Sequence, residues 1–156
     1  MPSATSTLLS RLQHAGGQVV VLHAPPEFKP VMDKWRSDGL PVSQRRTPGS
    51  RFVLAFVYSC ADIERMAGAI VTSVGRDGAL WFAYPKQASP HYRSDITRDD
   101  SWAVLGRMGY EGVRQVALDE DWSALRFRHV DMIRSLTRDP SRAISEAGRA
   151  RTTSQQ

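Results

Sequence analysis

Three segments constrain what this chain can fold into more than anything else in it: residues 79–86 (ALWFAYPK), 95–100 (DITRDD) and 113–128 (VRQVALDEDWSALRFR). In that order they read as a buried strand, a polar loop that opens a helix, and a terminal pair of strands. An acidic turn separates 113–119 from 122–129, the spacing of an antiparallel hairpin. The run constrains architecture far more than it constrains reaction.

Upstream, helical and strand patterns alternate. Residues 6–15 put Leu8, Leu9 and Leu12 on one face and stop at Gly16-Gly17. A short apolar strand follows at 18–23 (QVVVLH), broken by Ala24-Pro25-Pro26, where Pro26 suits the first turn of a helix. That helix carries Phe28, Val31, Met32 and Trp35 at helical spacing and ends near Gly39. Residues 41–46 predict a weak edge strand, and 51–58 (RFVLAFVY) a strand covered on both faces. Residues 59–75 form the clearest helix: Ser59 and Asp62 have capping-box spacing, then Ile63, Met66, Ala67, Ile70 and Val74 recur in steps of three and four. Asp77-Gly78 predicts a turn into the strand at 79–84, and Thr97 to Asp100 predicts a second capping box, opening a helix through Trp102, Leu105 and Met108. The alternation implies an α/β fold with a mostly parallel sheet and helices on both faces.

A chain of 156 residues with 41% hydrophobic and 24% charged residues is expected to form one domain, over 1–137, with a flexible Arg/Ser/Thr-rich tail over 138–156. No apolar stretch is long enough to span a bilayer, and residues 1–10 lack the pattern of a signal peptide. With one cysteine, Cys60, no intrachain disulfide is available, so a reducing cytoplasm is the expected setting. The net charge of +5 raises the possibility of a nucleic-acid partner. Against it, only three of the 21 basic residues are lysines (Lys29, Lys34, Lys86), a skew that codon bias in a GC-rich genome can produce. No dense basic helix is visible.

The closing strand–helix–strand–strand unit resembles the final part of class I methyltransferase-like Rossmann domains, where the last strand inserts antiparallel. That resemblance implies a three-layer, six-stranded sandwich of order 2-1-3-4-6-5 with strand 6 antiparallel. At motif level the AYPK strand, the DITRDD loop and the VRQVALDEDWSALRFR hairpin are similar to a family of short bacterial proteins classed as a domain of unknown function. That family implies a bacterial, cytoplasmic setting and brings no activity.

The methyltransferase chemistry can be checked against the residues. Its cofactor needs a glycine-rich turn after strand 1, where backbone approaches the ligand. The sequence there is His23-Ala24-Pro25-Pro26-Glu27-Phe28, with no glycine and two residues lacking an N–H. The end of strand 2, expected to hold an acid for the ribose hydroxyls, carries Gln44, Arg45 and Arg46. No cofactor is expected, whether S-adenosylmethionine or NAD.

A ligand of such a sheet would sit beyond the carboxyl ends of the strands. There Lys86 and Arg98 could clamp an anion, with Asp95 and Thr97 in the same loop and His23 at the end of strand 1. The alternative is that Asp95, Asp99 or Asp100 pair with these cations and hold the loop. No Ser–His–Asp or Cys–His spacing supports a catalytic residue. Cys60 lies at a helix start, where a thiolate is stabilised, and equally suits a small packed residue. His14, His91 and His129 are too scattered to be metal ligands, and residues 119–121 read as a solvated turn, so no metal is expected. Trp81, Trp102 and Trp122 suit the core. The leading expectation is a non-catalytic binding or regulatory module with a small anionic ligand or a protein partner, and no membrane. The alternatives are a small enzyme acting on an anionic metabolite at the loop after strand 4, and a nucleic-acid-associated protein.

Overall fold

The structure is a computed structural model that describes residues 4–132. The tail expected over 138–156 lies outside the described residues. The strands are β1 (Val19–Leu22), β2 (Val42–Ser43), β3 (Ser50–Phe56), β4 (Val74–Pro85), β5 (Tyr110–Ala117) and β6 (Trp122–His129). The helices are α1 (Ala4–Arg11), α2 (Lys29–Ser37), α3 (Cys60–Ser73) and α4 (Ala103–Arg107). The strands form one mixed sheet in the order β2-β1-β3-β4-β6-β5. The pairs β1/β2, β1/β3 and β3/β4 are parallel, and β6 runs antiparallel to both β4 and β5. This is an α/β, Rossmann-like arrangement. No helix among the described residues is long and apolar enough to cross a membrane.

Alternation along the central strands explains why they are apolar throughout. Val53, Ala55, Leu80 and Phe82 face one side and bury against Ile63, Ala67 and Ile70 of α3. Phe52, Leu54, Phe56, Trp81 and Ala83 face the other and bury against Met32 and Trp35 of α2 and Leu12. A sheet with both faces covered has no polar stripe to show.

Local chemistry fixes the element ends. Ser59 caps α3: its hydroxyl accepts from the Asp62 N–H at 3.2 Å, and Asp62 Oδ2 accepts from the Tyr58 N–H at 2.9 Å. The β5–β6 turn closes on Asp119, whose Oδ1 accepts from the N–H groups of Asp121 and Trp122, each at 2.8 Å.

Two local expectations are corrected. The Asp77-Gly78 turn is absent, because β4 starts at Val74, directly after α3. The register with β3 instead jumps from Ser50↔Val74 to Phe52↔Ala79. Gly78 is a site of close approach rather than a turn residue: a Cβ there would lie 2.6 Å from the Ser50 carbonyl oxygen. The helix expected to open at Thr97 begins at Ala103 and is five residues long. Thr97 Oγ1 does accept from the Asp100 N–H at 3.1 Å, but Ser101 Oγ accepts from the Thr97 N–H at 2.7 Å. These side-chain bonds hold a turn that competes with helix.

Candidate functional site

In this sheet the chain passes from β1 to β2 on one side and then to β3 on the other. The switch point is therefore the gap beyond the carboxyl ends of β1 and β3, where ligands of open α/β sheets bind. His23 leaves β1 with φ 59°, the left-handed region that glycine occupies without strain. Its ring is exposed, while its carbonyl accepts a 3.0 Å hydrogen bond from the Tyr58 hydroxyl, just beyond β3. A bond within the protein thus crosses the gap.

A second link crosses the same edge. Pro25 and Pro26 lead into a 3-10 turn, Pro26–Phe28, which presents Glu27. Glu27 Oε2 accepts from the Tyr92 hydroxyl at 2.5 Å and from Trp122 Nε1 at 3.2 Å. Tyr92 comes from the loop after β4, and Trp122 opens β6. The rings assemble edge to face: Tyr58 to Trp122 at 5.2 Å and Tyr92 to Trp122 at 5.0 Å between centroids. Desolvation opposes the Glu27 charge, but hydrogen bonds from Tyr92, its own backbone and Trp122 outweigh it, so its pKa lies below the ordinary value. Burial, and then the bond to Glu27, push the Tyr92 phenol up.

The loop after β4 is fastened along its length. Ser94 Oγ donates to the Tyr58 carbonyl at 2.9 Å. Asp95 Oδ1 accepts from the Cys60 N–H at 2.8 Å, at the start of α3, and this bond lowers its pKa. The Cys60 thiol is 3.4 Å from both the Asp95 carbonyl and Ser101 Oγ, so it ties the start of α3 to the loop. The Lys86 N–H donates to the Asp121 carbonyl at 2.8 Å.

The residues expected to form a site each have a place along this edge. Asp95 and Thr97 brace one loop. Arg98 pairs with Asp99 at 3.1 Å and lines a cleft of about 200 Å³ with Trp102, Tyr110 and Phe127. Lys86 is not part of that lining. Among the described residues, no hydrogen bond or ion pair joins Lys86, Arg98 and His23 to one another.

Sequence reasoning missed the partnership of His91 with the β5–β6 turn. Ring nitrogen Nδ1 lies 3.0 Å from Asp121 Oδ2, and Ser89 Oγ donates to Asp121 Oδ1 at 2.6 Å. Ligand-type atoms of His91, Glu120 and Asp121 all fall within 4.8 Å of one another, a group that could hold a divalent cation. The Asp121 bond raises the His91 pKa, and the Ser89 and His91 bonds lower that of Asp121. The pair links the loop after β4 to the β5–β6 turn. The residues lie 30 apart in sequence, and no motif links them.

No family model matches the chain, and no curated protein matches it. Among solved structures it is similar to the ribosomal protein L11 methylase of Lactobacillus delbrueckii subsp. bulgaricus, at 8% identity over 83% of this chain and 80% of that one, with a TM-score of 0.48. It is also similar to a tRNA methyltransferase of B. subtilis, at 12% identity over 78% of this chain and 64% of that one (TM-score 0.47). A SAM-dependent methyltransferase of Leishmania major is similar at 11% identity over 80% and 70% (TM-score 0.44). These remote likenesses say nothing of this chain's activity.

Proposed function

We propose that this chain is a non-catalytic, cytoplasmic binding module on a methyltransferase-like Rossmann frame, and that its own side chains occupy the crevice where such frames take a dinucleotide or S-adenosylmethionine. The observation that carries this reading is the Tyr58 hydroxyl on the His23 carbonyl, which spans the switch point at 3.0 Å. The Glu27–Tyr92–Trp122 group supports it from the adjoining strands. Three features of the crevice disfavour the usual ligands. Pro25 and Pro26 remove backbone donors from the turn after β1. The chain after β2 offers Gln44, Arg45 and Arg46 in place of a ribose-binding acid. Glu27, the carboxylate nearest in sequence to the turn, already takes two donors.

The test is isothermal titration calorimetry with S-adenosylmethionine and with NAD. No saturable heat is expected for the wild type with either. Saturable binding that Tyr58→Phe or Glu27→Gln changes by about tenfold or more, a typical size for a lost hydrogen bond to a charged group, would refute the reading.

A further inference from the structure

The opposite edge of the sheet holds a cavity that none of the preceding contacts uses. Its volume is about 440 Å³, and it is bounded by Gln13, Gly16, Gly17, Arg51, Phe52 and Arg126, among others. It sits beside Arg51 and Phe52 at the start of β3 and Ala79 of β4, next to the chain that leaves α1. That chain is well held: Trp81 Nε1 donates to the Leu12 carbonyl at 2.9 Å, and the His14 ring meets Phe52 edge-on at 5.2 Å. Gln13, Gly16 and Gly17 all have positive φ (62°, 96° and 85°), and nothing lies within 4 Å of a Cβ built on either glycine. Backbone is therefore exposed to the cavity without a side chain in the way.

Arg126, of the WSALRFR segment, is opposite Trp81 in the β4–β6 register and opposite Arg114 in the β5–β6 register. It is half-buried. One guanidinium nitrogen donates to Gln13 Oε1, while Nε is buried with no partner among the described residues. Among the described residues no ion pair takes up Arg51, Arg114, Arg126 or Arg128. Arginine in such a setting normally faces a carboxylate or a phosphate, to which its planar fork donates in pairs. Burial and the neighbouring charges of Arg128 and Arg114 all act against the Arg126 cation. A dianion would relieve that repulsion better than a monoanion.

We propose that this cavity binds a small organic phosphate, its phosphate group held between Arg51 and Arg126 and facing the backbone at Gly16-Gly17. A cleft of about 440 Å³ has the size of a metabolite site. This site is separate from the carboxyl-edge crevice, and either reading can fail without the other.

The test is an NMR titration at constant ionic strength with glucose 6-phosphate, with inorganic phosphate, and with glucose as the uncharged control. It follows the amides of Gly16 and Gly17, the Nε–H of Arg126, and Trp122 Nε1–H at the far edge. Saturable shifts at the first three with glucose 6-phosphate, absent with glucose and leaving Trp122 unmoved, are expected. Because Arg126→Met could disturb folding, Arg51→Ser, at an exposed position, is the primary variant. It should weaken binding by about tenfold or more, as loss of a charge-assisted contact does. Non-saturating shifts, equal shifts with glucose, or unchanged affinity in a folded Arg51→Ser would overturn the proposal. Binding of duplex DNA alone, with a steep salt dependence, would overturn it in favour of a nucleic-acid partner.

Discussion

The Tyr58 hydroxyl donates to the carbonyl of His23 across 35 residues of sequence, joining the chain just beyond β3 to the chain just beyond β1. The bond also explains a backbone oddity. His23 is held at φ 59°, which a non-glycine residue adopts at a cost. The fixed geometry aims its carbonyl at the phenol and turns its ring to solvent.

Tyr58→Phe is expected to cost about 1 kcal/mol in urea unfolding, the ordinary net contribution of one hydrogen bond. His23→Val at the same link should cost about 1–2 kcal/mol, because a β-branched residue resists the left-handed conformation. His23→Gly should be close to neutral. A loss for His23→Gly as large as for His23→Val would show that the ring, not the backbone conformation, matters.

Gly78→Ala is expected to destabilise the fold by roughly 2 kcal/mol or more, as overpacking against backbone does. Its methyl would meet the Ser50 carbonyl oxygen at 2.6 Å and Val74 Cγ1 at 2.7 Å. Gly106→Ala, where nothing lies within 4 Å, is the control and should be neutral or slightly stabilising. Thermal unfolding of the two variants side by side decides the matter.

Acid should loosen the carboxyl edge through Glu27. Its folded pKa lies below the ordinary 4.5. Its contribution is therefore complete above about pH 4.5 and is lost as the pH falls through the folded value. Tyr92→Phe should flatten that part of the stability profile. His91 acts in the opposite sense. Its pKa is raised above 6.5 by Asp121, so its contribution is complete below about pH 6.5 and disappears as the pH rises through the folded value. His91→Gln should remove that alkaline loss, as seen in unfolding curves taken across the range.

The alternation of strands and helices was legible because β3 and β4 are covered on both faces and read as unbroken apolar runs, while α3 shows its buried stripe of Ile63, Ala67 and Ile70. The antiparallel terminal pair was legible from its acidic turn. Element ends were less so. Asp77-Gly78 reads as a turn, yet Gly78 is small because Ser50 approaches it. Thr97 and Asp100 do form a capping-type bond, but Ser101 diverts the backbone before a helix can start. At the candidate site, the missing glycines after β1 were visible in one stretch of sequence. What fills their place was not, because Glu27, Tyr92 and Trp122 meet across separations of 65 and 95 residues. The pairing of Arg126 with Gln13 spans 113 residues and leaves no periodic trace.

The central claim, that the protein's own side chains occupy the crevice, is tested most directly at Trp122. Its indole Nε1–H donates to Glu27 beside the Tyr92 hydroxyl. Its proton resonance reports on that group during a titration with S-adenosylmethionine into the millimolar range. The resonance should stay fixed, and its exchange with solvent should remain slow. A saturable shift of that resonance, with faster exchange as the Glu27 bond opens to admit the ligand, would contradict the claim.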